Sequence, residues 1–213
     1  MHSCDRAENR CDRHDPSSDS ITAISTNLSL CLKITWALFA IVWIIGAFKS
    51  KQSVRRQALS SRFGMFAIAL IEYLLLFWMV RHFGFAHSRF LPDSVIYLWI
   101  GLTMTFAGVM FAIWARVTLG RNWSGIVTVK RDHELIRTGP YALVRHPIYT
   151  GITFAVFGTA IFIGEIKSLI VVVAMLSVFT YKMKIEEQFM TEQFGSEYAS
   201  YRQTTKALVP FLW

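Results

Sequence analysis

Long apolar blocks alternate with polar clusters along the chain and set its architecture. The first block runs from about Leu28 to Phe48 and the second from about Gly64 to Val80. Each is close to the ~20 residues that cross a ~30 Å hydrocarbon core. A third, about Ser94 to Leu119, is long enough to tilt or to project beyond the bilayer. Two more, Ile148–Ile163 and Ser168–Tyr181, are separated only by Gly164, Glu165, Ile166 and Lys167, the short polar connection of an antiparallel helical hairpin. Lipid leaves open strand edges without partners, so the expected fold class is all-α, a polytopic membrane protein with about five transmembrane helices. Beyond Tyr181, the residues Ile185, Phe189 and Met190 keep a helical stripe among Lys184, Glu186, Glu187 and Gln188. The last helix is therefore expected to leave the membrane and to stop at Gly195.

Composition strengthens this picture: 54% of residues are hydrophobic and the mean hydropathy is +0.40, well above a soluble domain. The formal charge of +8 does not redirect it to nucleic acid, because the Lys and Arg residues fall between apolar blocks instead of forming a basic domain. Cys4, Cys11 and Cys31 lack metal-ligand spacing, so no metal is expected. The stretch Met1–Asn27 is rich in charge and Ser and reads as disordered. It lacks the apolar core of a cleavable signal peptide, so the first apolar block is expected to remain as an anchor. The chain thus divides into a polar segment (1–27), three membrane helices (28–119) and a functional region with the last two (120–213). With five spans, 15 basic residues collect on the side of the first loop, third loop and C-terminal region, against 6 on the other. The positive-inside rule then makes the N-terminus non-cytoplasmic and turns the C-terminal region to the cytoplasm.

Charge also marks the candidate chemistry. In the run Gly139–Gly151, Pro147 suits the first turn of a helix and biases His146 toward an extended, cap-like conformation. The exposed amides of that turn favour an anion, and Arg145 adds a planar cationic donor beside them. If the hairpin turns between Glu165 and Ile166, equal counts along both helices bring Arg145 level with Glu186. Glu186 and Glu187 then face the Arg145-His146-Pro147 corner just outside the bilayer, an arrangement of opposite charges suited to a zwitterion. Glu72, inside the second span, is a further candidate because an ionisable group there is costly. The bland alternatives are a headgroup anchor for Arg145, a purely capping His146, a solvated face at Glu186-Glu187 and a structural hydrogen bond at Glu72.

The ordered set Arg121-Asn122-Trp123-Ser124, His133-Glu134-Leu135-Ile136, Gly139-Pro140-Tyr141, Arg145-His146-Pro147-Ile148-Tyr149-Thr150-Gly151, Glu186-Glu187 and Phe194-Gly195-Ser196-Glu197-Tyr198, with Tyr201 and Pro210, resembles the isoprenylcysteine carboxyl methyltransferase family. The resemblance covers about Arg121 to Pro210. It implies a helical membrane enzyme in which S-adenosylmethionine is enclosed by the C-terminal helical hairpin and its surroundings. A lipophilic or prenylated substrate would enter laterally among membrane lipids. It places His133, Leu135, Gly139 and Tyr141 on the adenosine side, and Arg145, His146, Tyr149, Glu186 and Glu187 around the reacting end. Of these, Arg145, Glu186 and Glu187 are the candidate catalytic residues and the others cofactor-binding. The implied reaction is methyl transfer to a prenylcysteine-like carboxylate. Alternatives are a phospholipid or small-amine N-methyltransferase, a membrane sterol-type reductase using NADPH, and a non-catalytic membrane protein. The acceptor and the oligomeric state are not legible in the sequence.

Overall fold

A computed structural model describes residues 16–48, 53–56, 81–120, 128–130 and 135–209, with a few single positions between 70 and 78. Five helices are named here in chain order: α1 (Pro16–Phe48), α2 (Val95–Leu119), α3 (Pro147–Ile163), α4 (Ile166–Phe194) and α5 (Ser196–Thr204). Three carry stretches long and apolar enough to cross a membrane, Ala23–Gly46, Val95–Leu119 and Ile166–Phe194, while α3 is apolar but shorter. The 29 residues of α4 span about 43 Å at ~1.5 Å each. Its apolar portion is Ser168–Tyr181, and its last turns carry the charged residues Lys182, Lys184, Glu186 and Glu187. The predicted span Gly64–Val80, with Glu72, falls almost wholly outside the described residues.

One expectation is corrected. The segment read as disordered is helical from Pro16 onward, as α1 begins twelve residues before the apolar block. A proline suits a first helical turn, where its missing N–H costs nothing. The fold is helical, as expected, with one short ladder between loop segments. Strands β1 (Ser53–Arg56) and β2 (Thr128–Lys130) form an antiparallel ladder in the register Ser53↔Lys130, Arg55↔Val129 and Arg56↔Thr128. These loop segments are too polar for lipid, and their backbone groups satisfy one another instead. The pairing sets these parts of the first and third loops side by side.

The α2–α3 contact is made backbone to backbone. A Cβ on Gly108 would stand 2.5 Å from the Ala155 nitrogen, and one on Gly151 would stand 2.6 Å from that of Ala112. Gly101 and Gly158 repeat this arrangement one heptad away. Without a hydrophobic drive between helices in lipid, such close approach supplies the dispersion contact that larger residues would prevent. Thr105 seals it, its Oγ1 donating to the carbonyls of Gly101 (2.8 Å) or Ala155 (3.2 Å) and lying 3.1 Å from Thr159 Oγ1. The Trp36 indole of α1 donates to the same Thr159 hydroxyl at 3.1 Å. Nearer the loops, the buried Arg116 donates to Gly46 O of α1 and Gly120 O beyond α2, joining two helix ends whose dipoles favour a cation. Outward-facing Ile34, Ile41, Ile96, Phe106 and Val173 are exposed, as lipid contact requires.

The α3–α4 hairpin turns at Gly164, whose φ of 72° is left-handed. Phe90 N donates to Gly164 O and Ile166 N to Ser88 O, clamping the turn against the approach to α2.

Candidate active site

At the open end of the hairpin, Pro147 occupies the first helical position and His146 the N-cap. The His146 ring caps no amide. Instead the chain after α5 returns and pairs with the corner: Arg145 N donates to Lys206 O (2.8 Å), His146 N to Ala207 O (3.0 Å) and Thr150 Oγ1 to Leu208 O (2.7 Å). With its backbone amide satisfied by this strap, His146 turns its ring toward α4.

There its Nδ1 lies 3.5 Å from Glu186 Oε2 and its Nε2 3.3 Å from Glu187 Oε1. Tyr149, one turn into α3, donates its hydroxyl to Glu186 Oε1 at 2.5 Å and packs on the Phe179 ring at 4.6 Å. Arg145 donates through Nε and Nη2 to Glu187 Oε1 at 2.9 and 2.8 Å, while Nη1 reaches the carbonyls of Thr205 and Arg202. Lys182 Nζ stands over the Tyr149 ring, 5.4 Å from its centroid.

The electrostatics follow from this closure. Burial pushes the His146 imidazole down, but the hydrogen bonds to Glu186 and Glu187 prevail and raise it above the ordinary range. Burial alone would raise the Glu187 carboxyl, yet the contacts with His146 and Arg145 hold it down to about 2. Glu186 is likewise lowered against its burial, by the His146 hydrogen bond and the charge of Lys182. Two ionised carboxylates therefore flank a cation-favouring imidazole just past the apolar part of α4.

The structure brings together Arg145, His146, Tyr149, Glu186 and Glu187, as the hairpin count anticipates, but with one change of partner. Arg145 meets Glu187, and Glu186 faces His146 and Tyr149. The reason is that Arg145 precedes the helix, where a helical rise of ~1.5 Å per residue no longer sets its level, and His146 at φ −121° and ψ 59° is not the extended cap expected from Pro147. Tyr141 is buried in a cluster with Ala115, Ile148, Tyr149 and Met183, and its carbonyl accepts from the Tyr201 hydroxyl of α5. Gly139 opens that turn at a φ of 60°, with its Cβ direction 3.4 Å from Thr118 Oγ1. Leu135 is partly buried, and His133 lies outside the described residues. Two side chains at this cluster are absent from the sequence reading, Lys182 and Arg202, the latter 3.5 Å from Glu187. The same hairpin count contained a signal for Lys182, since it puts that residue level with Tyr149. Among the described residues no group of His, Cys, Asp and Glu is placed to hold a metal ion.

Known proteins share this arrangement of sequence. The family model described as phospholipid methyltransferase matches residues 96–197. The chain is 28% identical over 151 residues to protein-S-isoprenylcysteine O-methyltransferase B of Arabidopsis thaliana, covering 68% of this chain and 71% of that protein. It is 27% identical over 186 residues to a probable protein-S-isoprenylcysteine O-methyltransferase of Oryza sativa subsp. indica, covering 82% and 95%. A solved eukaryotic intramembrane Ras methyltransferase, isoprenylcysteine carboxyl methyltransferase, matches at 24% identity and a TM-score of 0.46 over 73% of this chain; the chain spans 55% of that structure. The region matched by the family model begins in α2 and ends in α5 and takes in Arg145, His146, Tyr149, Glu186 and Glu187, and the chain is similar there to the isoprenylcysteine O-methyltransferases.

Proposed function

We propose that this chain transfers the methyl group of S-adenosylmethionine to the carboxylate of a lipophilic, prenylcysteine-like acceptor at the cytoplasmic edge of the bilayer. The observation that carries the reading is the Glu186–His146–Glu187 cluster, polar and partly buried, at the level where α4 passes from lipid to water. Its donor set suits a zwitterion that also bears a sulfonium. Carboxylates kept ionised oppose positive charge, and the first turn of α3 favours a carboxylate. Glu186, Glu187, His146 and Tyr149 would hold the amino-acid end, and Leu135, Gly139 and Tyr141, with His133, the adenosine side. When bound, the cofactor supplies a methyl group already activated by its sulfonium leaving group.

What remains for the protein is orientation and exclusion of water, which together account for several kcal/mol of such a barrier. A carboxylate acceptor, with a reference pKa near ~3.5, is ionised at neutral pH and needs no base. In this reading Arg145 holds Glu187 and the strap in register, so that Glu187 and His146 present fixed faces to the ligand. Tyr149 fixes Glu186 in the same way. The basic loops and C-terminal region face the cytoplasm and the N-terminus the opposite side; reporter fusions at both ends check this, and two cytoplasmic termini would refute it.

The acceptor test offers labelled S-adenosylmethionine with N-acetyl-S-farnesylcysteine and, separately, with phosphatidylethanolamine. Mild alkali releases methanol from a methyl ester and not from an N-methyl product. Alkali-labile label on farnesylcysteine is the expected result. Alkali-stable label on the amine lipid alone would replace the carboxyl reading with the N-methyltransferase one.

A further inference from the structure

The geometry points to Lys182 as the group that selects the acceptor, by receiving its carboxylate where the site opens to the bilayer. This rests on the carboxylate reading above and adds to it the residue that recognises the acid.

Arg145, the obvious cation for a carboxylate, has all three guanidinium nitrogens engaged within the protein: Nε and Nη2 on Glu187, and Nη1 on the carbonyls of Thr205 and Arg202. It also lies at the outer end of the corner, beyond the first turn of α3 and farthest from the apolar part of the hairpin. A lipophilic acceptor reaching the site from lipid meets the other end first. That end is marked by Tyr149 and Phe179, whose rings pack 4.6 Å apart between α3 and α4. Lys182 is level with Tyr149 and extends its ammonium over the same ring, 5.4 Å from the centroid.

Lys182 and Glu186 are one turn apart on one face of α4. Tyr149 connects them, with its ring beneath the ammonium and its hydroxyl on the Glu186 carboxylate. Moving outward from the bilayer, the order is therefore an apolar aromatic wall, then a cation, then the carboxylates. That sequence suits an acidic headgroup on an apolar tail. The tail runs along the wall, the acid stops at Lys182, and the positively charged donor lies beyond, at Glu186 and Glu187. An amine headgroup would meet repulsion at the same position. Lys182 sits where apolar side chains reduce screening, and its flexible stem lets the ammonium follow the acid.

The test compares the acid with a neutral analogue of the same shape. Purified full chain in detergent is titrated by calorimetry with N-acetyl-S-farnesylcysteine, with its carboxamide, and with S-adenosylmethionine. Wild type is expected to bind the acid about tenfold more tightly than the amide, the size of one charge-assisted hydrogen bond. Lys182→Gln and Lys182→Met should bring the two affinities together and raise the KM of the acid by a similar factor, with S-adenosylmethionine affinity changing less than about twofold. Lys182→Arg should keep the preference. A variant that keeps the acid preference overturns the assignment. So does one that weakens S-adenosylmethionine and both farnesyl ligands together, because Lys182 would then only balance Glu186. If wild type esterifies the acid while Lys182→Gln keeps its preference, only the role of Lys182 falls. If wild type neither binds nor esterifies the acid, the acceptor reading falls and this assignment with it.

Discussion

The two faces of α3 are built on opposite terms. Toward α2, glycines at positions 108 and 151 remove side chains until the backbones touch, and the polar groups there are hydroxyls that bond to carbonyls of their own layer. Toward α4, the helices meet through long side chains: Tyr149 on Phe179, Tyr149 on Glu186 and Arg145 on Glu187. One face is closed by subtraction and holds no charge at membrane depth. The other is spaced by side chains that carry charge and can exchange protein partners for a ligand's. A membrane helix can serve as scaffold and as binding wall at once if its small residues and its long polar ones occupy different faces.

The charged face should be the more costly to damage. Arg145→Ala leaves Glu187 without its two-contact partner and is expected to lose about 3–5 kcal/mol of stability, with methyl transfer lost as well. Chemical unfolding in detergent checks the first and the alkali assay the second. A double variant, Arg145→Leu with Glu187→Leu, should regain much of the stability and none of the activity. An Arg145→Ala chain as stable as wild type would remove the distinction between the faces.

Acid probes the same network without mutation. The Glu187 carboxyl is held at about 2 in the folded chain, against an ordinary 4.5. A lowered folded value contributes stability that is complete above the ordinary one and is lost as pH falls toward the folded one. The melting temperature should therefore fall from about pH 5 to about pH 3, and Glu187→Gln should make that fall shallower. An unchanged slope would show that Glu187 does not carry it.

On the scaffold face the effects are smaller. Gly151→Ala sets a Cβ 2.6 Å from the Ala112 nitrogen and 2.7 Å from Gly108 O, and the helices must part. About 1–3 kcal/mol is the expected cost, read from the melting temperature, with a secondary loss of activity as α3 shifts. Thr105→Val keeps the shape and removes the hydroxyl shared with Gly101, Ala155 and Thr159. In lipid such a bond is worth about 0.5–1.5 kcal/mol, so a shift of a few degrees with near-normal activity would show that the scaffold tolerates polar loss where the site does not.

Much of this was legible beforehand, for identifiable reasons. The ends of α2, α3 and α4 fall within two residues of the predicted starts and stops, because Ser94, Pro147, Gly164 and Gly195 are local signals that need no tertiary context. The meeting of Arg145-His146 with Glu186-Glu187 followed from counting along a hairpin whose turn, Gly164-Glu165, is only two residues long. The helical start at Pro16 was missed because charge and Ser outweighed the local signals there. The β1–β2 ladder was missed because its strands lie more than seventy residues apart, and short polar segments give no periodicity to read.

The sequence by itself determined which stretches enter the bilayer, where α2, α3 and α4 begin and end, and which charged residues share one end of the hairpin. Those are consequences of hydropathy, helical rise and backbone chemistry acting over a few turns. Only the tertiary structure decided that Arg145 takes Glu187 and leaves Glu186 to His146 and Tyr149, that residues 205–208 strap the corner, and that Lys182 stands over Tyr149. The deciding distances are a few ångströms between segments far apart in the chain. The end of the helical rise before Pro147, or the reach of one long side chain, is enough to exchange partners there.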